Sequence, residues 1–325
     1  MTPPVGFAGA ELAVDRGAPT LPASRLAEGG AAGVLADAAQ LVRPKIALMV
    51  LATVAAAFWL TAGRPADPRA FVALLVGTAL VAASSSIANQ VLERRTDRAM
   101  RRTARRPVAA GRLGVGAAAA LAAATLGAGT AVVAAAAGWE PAVAAAATWL
   151  LYVVAYTPLK RTTPLNTAVG AVAGALPVAI GWLAAGGPAR LAAGDAAGGL
   201  AAAALGTVLY LWQFPHFMAI AWLYRDEYAA AGLRMLTVVD PSGLRAAGQS
   251  LAAALAMVPV SLVLAVPSGS PRLFVVAAVA SGAYVAAAIR FAVRRDRPGA
   301  RLLLFTSLGS LLALLVAALS LGAPS

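Results

Sequence analysis

The chain is assembled from apolar runs of about 20 residues, most of which carry no polar face. This feature limits the fold more than any motif does. A run of that length makes a helix long enough to cross the hydrocarbon core of a bilayer. The runs fall at 46–62, 70–92, 113–136, 142–157, 166–186, 199–222, 247–267, 272–291 and 301–321. Short polar connections separate them, so neighbouring spans are expected to be antiparallel within one bundle. The expected fold is therefore all-α: a polytopic membrane bundle of about nine helices around a central cavity. It occupies 41–325, behind a disordered tail at 1–40. The end of that tail, Leu35 to Val42, reads as a short interfacial helix leading into Arg43-Pro44-Lys45. An alanine-rich soluble bundle is the competing reading. Only 12% of the residues are charged, about half the usual share for soluble domains. The alanine runs are also mixed with Leu, Val, Phe and Trp and lack Glu/Lys faces.

The formal charge of +13 comes mostly from arginine. In a soluble protein it would point to nucleic acid. Here the basic residues lie between the apolar runs, where the positive-inside bias is the simpler cause, and no nucleic acid is expected. All of them except Arg64, Arg69, Arg190 and Arg272 fall on one side of the alternating topology. That side, with the N-terminus, is expected to be cytoplasmic, which places the protein in the inner (cytoplasmic) membrane in contact with lipid. The chain has no Cys and one His, which excludes disulfides, thiolate metal sites and multi-histidine metal sites. The connections after spans two and six are both long and charged, and both carry acids near the end of an apolar run. Two related helical repeats facing one cavity would produce this pattern.

The chemistry concentrates in the stretch from Ser84 to Pro107. Asn89, Glu93 and Asp97 are spaced four apart, so on a helix they share one face at about 6 Å intervals. Carboxylates so placed can hold Mg²⁺ while leaving its other positions to water and phosphate. The arginines that follow can supply forked donors to phosphate. Ion pairing between these acids and arginines in an ordinary cytoplasmic loop is the plainer reading. Asn89 and Ser84-Ser85-Ser86 argue against it, because polar groups inside a membrane helix are costly.

The order Asn89-x-x-x-Glu93-x-x-x-Asp97-x-x-Met100-x-Arg102-Thr103-x-x-Arg106-Pro107 resembles the signature of the UbiA superfamily of intramembrane prenyltransferases, in its haem O synthase branch. Two further segments resemble the same family. One runs Tyr156-Thr157-Pro158-Leu159-Lys160-Arg161, then Asn166-Thr167, Gly170, Gly174, Pro177 and Gly181-Trp182. The other runs Trp212-Gln213-Phe214-Pro215-His216-Phe217, then Trp222, Arg225-Asp226-Glu227-Tyr228, Gly232 and Met235-Leu236. The likeness spans roughly residues 40–320. Glu93 and Glu227 stand where Asp is common in the family, and Ala230 stands where the second motif often has another acid.

The resemblance implies transfer of a farnesyl group from farnesyl diphosphate to protohaem IX, with Mg²⁺ as cofactor and a haem A synthase as candidate partner. It implies catalytic roles for Asn89, Glu93, Asp97, Asp226 and Glu227, with the metal on Glu93, Asp97 and Asp226. Diphosphate would meet Arg102, Arg106, Lys160 and Arg225. Lys160 and Arg161 read equally as a positive-inside pair, and Asn166 as a helix cap or a cavity group. Trp212, Phe214, Phe217 and Trp222 read as packing or interface residues. His216 is either a buried structural histidine or the ligand that orients haem iron. An aromatic-ring prenyltransferase is the rival within the class and a transporter the rival outside it. The latter lacks the broken spans and midplane charges expected of it.

Overall fold

The computed structural model describes residues 31–322, all connected through helices and short turns. Helix α1 (Ala31–Val42) begins four residues before the expected interfacial helix, and the boundary drawn at residue 41 falls inside it. The remaining expectation for the tail lies outside the described residues. Among the described residues, nine helices long and apolar enough to span a membrane follow: α2 (Pro44–Ala62), α3 (Pro68–Ala99), α4 (Val115–Ala137), α5 (Trp139–Leu159), α6 (Asn166–Ala184), α7 (Ala197–Leu223), α8 (Leu244–Val263), α9 (Pro271–Arg294) and α10 (Arg297–Leu321). Each overlaps an apolar run read from the sequence. No strand occurs among the described residues.

Local chemistry sets the helix ends. Asp67 caps α3 by accepting from the backbone N–H groups of Arg69 and Ala70 at 2.8 and 3.3 Å, ahead of Pro68 at the first helical position. Ser270 and Asp296 cap α9 and α10, accepting from the backbone N–H groups of Leu273 and Gly299, with Pro271 and Pro298 at the first and second helical positions. Between α1 and α2 the chain turns at Arg43, whose φ of 54° is unusual for a residue with a Cβ.

The first half of the bundle is joined by close backbone contact. A Cβ on Gly77 of α3 would lie 2.9 Å from the Gly129 carbonyl oxygen of α4, and a Cβ on Gly129 would lie 2.8 Å from that of Gly77. Small residues at such crossings let membrane helices approach where lipid gives no hydrophobic drive to associate. The second half is built on bulk instead. Trp222, Met257, Tyr284, Phe291, Leu303 and Leu314 pack α7 through α10 into the largest apolar cluster.

Helix α3 is the member that positions the site. Its 32 residues make a rod of about 48 Å, well beyond the roughly 30 Å of a hydrocarbon core. The extra turns carry Glu93 and Asp97 on helix rather than in a loop, past the apolar stretch. Helix α1 braces this projecting end. Gln90 Nε2 donates to the carbonyls of Gln40 and Leu41 at 3.0 and 3.2 Å, and Arg112 forms a forked ion pair with Asp37 at 2.7 Å. The Arg112 guanidinium holds the Asp37 carboxyl below the usual carboxylate range.

Candidate active site

Asn89, Glu93 and Asp97 do share one face of α3, and that face turns inward. Asn89 and Asp97 are fully buried, while Glu93 keeps a sliver of exposure. Burying two carboxylates is costly unless each is paired and hydrogen-bonded. Two cations meet that need. Arg106 Nη1 donates to both oxygens of Asp97, at 2.9 and 2.8 Å, and lies 3.9 Å from Glu93 Oε2. Lys160 Nζ donates to Glu93 Oε1 at 2.8 Å. The ion pairs expected of a plain cytoplasmic loop therefore exist, but they sit inside the bundle rather than in a solvated loop.

Arg106 reaches inward because its loop folds back under α3. Thr103 Oγ1 donates to the Asp97 carbonyl at 3.0 Å and Arg98 Nε to the Ala109 carbonyl at 2.6 Å. Lys160 arrives by a change of helical pitch. The segment Leu151–Tyr156 of α5 is π-helical, a form that recurs at functional sites. Thr157 closes it by donating both its N–H and its hydroxyl to the Tyr152 carbonyl, the latter at 2.9 Å. With that hydroxyl proton committed, Thr157 Oγ1 accepts from Asn89 Nδ2 at 3.2 Å. The amide is thereby oriented, and Asn89 Oδ1 accepts no hydrogen bond among the described residues. One turn on, Lys160 Nζ sits 4.4 Å over the Tyr156 ring. That ring fits only because residue 170 is glycine. A Cβ there would lie 2.6 Å from Tyr156 Cε2.

The second block closes the site from the other half of the chain. Met100 packs with Ala221, Tyr228, Leu233 and Met235, so the methionines of the two motif blocks form one small core. Arg102 Nη2 donates to Tyr228 Oη at 3.3 Å, its guanidinium lies 5.0 Å from the Tyr224 ring centre, and its backbone N–H donates to Glu227 Oε2 at 3.4 Å. Of the two adjacent acids, Glu227 meets the first block. Asp226 was expected to hold metal, but its side chain is 82% exposed and its ion pair is with its own neighbour Arg225, at 3.7 Å. The short helix Arg225–Ala230 explains this, since successive residues point about 100° apart. Arg225 itself lies 4.6 Å over the Trp222 ring and donates to the Trp222 carbonyl, and makes no contact with the acid cluster among the described residues. Asn166 is a clamp between loops, donating to the carbonyls of Thr163 at 2.6 Å and Arg234 at 3.4 Å.

The donor set suits a divalent cation of the oxygen-loving kind. Among the described residues no three acids or histidines form a ready cage. Two carboxylates that leave further positions to phosphate are, however, the usual protein share of a Mg²⁺ site. The position between Glu93 and Asp97 is already held by a cationic group, Arg106 Nη1, which shows that a cation fits there.

Of the serines in α3, Ser84 is structural: it accepts from Trp149 Nε1 at 2.9 Å and donates to the Ala122 carbonyl at 2.7 Å. Ser85 bonds back to Val81, and the Ser86 hydroxyl is buried without a partner among the described residues. His216 stands apart from the acid cluster, with no hydrogen bond or ion pair between them among the described residues. It stacks on Trp212 at 4.5 Å, meets the edge of Phe217 at 5.7 Å, and has Nδ1 2.8 Å from Ser307 Oγ of α10. The sequence reading missed Thr157 as the orienter of Asn89, and it missed Ser307. A signal for the latter was available, since Ser307 and Ser310 interrupt the last apolar run as Ser84 to Ser86 interrupt the second.

Comparison with known proteins identifies the family. The profile described as the UbiA prenyltransferase family matches residues 50–321. The chain is 44% identical over 226 residues to a protein of Rhodopirellula baltica named protoheme IX farnesyltransferase, covering 70% of this chain and 76% of that one. It is 36% identical over 283 residues to the protein of the same name from Solibacter usitatus, covering 83% and 93%. Among solved structures, a UbiA homologue from Archaeoglobus fulgidus bound to GPP and Mg²⁺ superposes with a TM-score of 0.62 at 17% identity, covering 87% of this chain and 99% of that one.

Proposed function

The chain belongs to the UbiA prenyltransferase family, and from that premise we propose that it joins the farnesyl group of farnesyl diphosphate to a vinyl group of protohaem IX, giving haem O and diphosphate. The reading rests above all on one observation. The Met100–Arg106 segment docks on the Tyr224–Met235 segment, and two buried acids with two cations lie beside that junction.

The C–O bond of the allylic diphosphate breaks, and negative charge collects on the leaving oxygens. Arg102, Arg106 and Lys160 are the donors placed to receive it, through charge-assisted contacts that strengthen as the charge develops. Glu93 and Asp97 would hold Mg²⁺, with Asn89 Oδ1 and Glu227 assisting, and the ion would neutralise the leaving diphosphate when bound. The allylic cation must be kept from water until the vinyl carbon attacks, which an apolar intramembrane setting provides. The new C–C bond leaves a cation on the haem side, and water closes it as a hydroxyl with loss of a proton. His216 orients the haem by ligating its iron. It sits seven residues, about 10 Å, from the Leu223 end of α7. The excess of basic residues on one side supports a position of the acid cluster at the cytoplasmic face of the inner membrane. Haem O is apolar enough to leave laterally, which makes a membrane-bound haem A synthase the candidate recipient.

Membranes containing the protein are expected to convert protohaem, farnesyl diphosphate and Mg²⁺ into a haem of longer chromatographic retention. Failure to do so, with prenylation of a quinone precursor in a parallel incubation, would transfer the assignment to an aromatic-ring prenyltransferase.

A further inference from the structure

The one histidine of the chain rests against a hydroxyl whose proton is already committed. Ser307 Oγ lies 2.6 Å from the carbonyl oxygen of Leu304. Two oxygens stay that close only with a proton between them, and serine has a single hydroxyl proton to donate. Toward His216 Nδ1, at 2.8 Å, Ser307 can therefore offer only a lone pair, and Nδ1 must be the donor. A neutral imidazole has one N–H, so Nε2 is left bare. It makes no hydrogen bond among the described residues. The doubly protonated ring is disfavoured, because none of the ring's contacts, Trp212, Phe217 and Ser307, is anionic.

The surroundings hold this arrangement still. Trp212 stacks on the imidazole with 23° between the planes, and its indole N–H donates to the Ser307 carbonyl at 2.7 Å. Tyr284 Oη donates to the Trp212 carbonyl at 2.7 Å. Ser307 and Tyr284 are both fully buried. Helices α7, α9 and α10 thus contribute one interlocked group around a single ring nitrogen.

We propose that Ser307 is a positioning residue, fixing His216 in the tautomer that presents the Nε2 lone pair to the iron of the porphyrin substrate. This rests on the haem-orienting role proposed above for His216. Histidines that bind metal depend on the acceptor of their other N–H, which fixes tautomer and ring orientation. A carboxylate acceptor would also make the ring a stronger donor. A neutral hydroxyl adds little of that strength, which suits an iron that arrives and leaves with each turnover.

The test titrates ferric protohaem into the purified full-length protein and follows the absorption spectrum, with Mg²⁺-dependent binding of farnesyl diphosphate measured in parallel. Ser307→Ala is expected to bind haem about 10- to 100-fold more weakly, with a spectrum shifted away from that of the unaltered protein, while farnesyl diphosphate binding is kept. Ser307→Thr retains the hydroxyl and is expected to restore both affinity and spectrum. If Ser307→Ala matches the unaltered protein while His216→Ala does not, the tautomer proposal fails and the ligand role stands. If Ser307→Ala and Ser307→Thr are equally impaired, packing rather than the hydroxyl is responsible and the proposal fails. An unchanged spectrum in His216→Ala overturns the ligand role itself, and the proposal with it.

Discussion

Replacing Arg106 by Met keeps much of the side-chain bulk and removes the charge that satisfies Asp97. Both Asp97 oxygens would lose their donor, at 2.8 and 2.9 Å, on a side chain with no exposure of its own. Glu93 would keep Lys160. Removing one partner of a buried pair typically costs about 3–5 kcal/mol, because the other charge stays buried and unpaired. The same change vacates the position between the two carboxylates. A divalent cation can then enter without displacing anything. At about 100 times its dissociation constant it would return about 2.7 kcal/mol by linkage, and about 4.1 kcal/mol at 1,000 times. The expected result is a variant that melts well below the unaltered protein without Mg²⁺ and recovers most of the difference as Mg²⁺ is raised. Without diphosphate to draw the arginine away, the unaltered protein, whose Arg106 already holds the place, should respond little. Thermal unfolding followed by tryptophan fluorescence in detergent, over a Mg²⁺ series, measures both. The double variant Arg106→Met/Asp97→Asn should be insensitive to Mg²⁺ and less destabilised than Arg106→Met alone. A single variant as stable as the original, or one indifferent to Mg²⁺, would refute the view that Arg106 stands where a metal would sit.

Other substitutions probe neighbouring parts of the site. Asp97→Asn should lower turnover by orders of magnitude with the protein still in the membrane, whereas Glu93→Asp should be mild; initial rates of haem O formation separate them. Arg102→Lys removes the guanidinium that donates to Tyr228 and could fork onto phosphate, and should raise the KM for farnesyl diphosphate, while Arg95→Lys, at an exposed position, should leave it unchanged. Gly170→Ala drives a methyl into the Tyr156 ring and should destabilise the protein by about 1–3 kcal/mol, a loss that thermal unfolding reports. Reporter fusions after Pro107 and after Ser325 should lie on opposite sides of the membrane, since seven of the nine spans lie between them; finding them on the same side refutes the span count.

The spans were legible because a bilayer admits little else. Each run of about 20 apolar residues has one way to satisfy its backbone, and no tertiary knowledge is needed to see it. Asn89, Glu93 and Asp97 were legible for a related reason, since the helix period alone puts them on one face. Pairing was not. Eight arginines lie between residues 94 and 112, and nothing local says that Arg106 turns inward while Arg105 stays exposed. That follows from Thr103 and Arg98 folding the loop back onto α3. The choice between Asp226 and Glu227 depended likewise on where a six-residue helix starts. Ser307 lies 91 residues beyond His216 in the chain, and no spacing rule joins them.

The π-helical segment Leu151–Tyr156 has a consequence for how this chain can vary. One residue more than an α-helix needs is held in that wide turn. The extra residue offsets the phase of everything after it, so Thr157 and Lys160 face α3 although the lipid-facing residues before them keep an ordinary α rhythm. Deleting any one residue of the segment would let the helix relax to regular pitch and swing the following side chains by about 100°. Asn89 would then lose its anchor and Glu93 its ammonium in a single step. Insertions and deletions in the first two turns of α5 can be absorbed by sliding the helix in the membrane. Within these six positions length itself is under constraint, whatever the identities of the side chains.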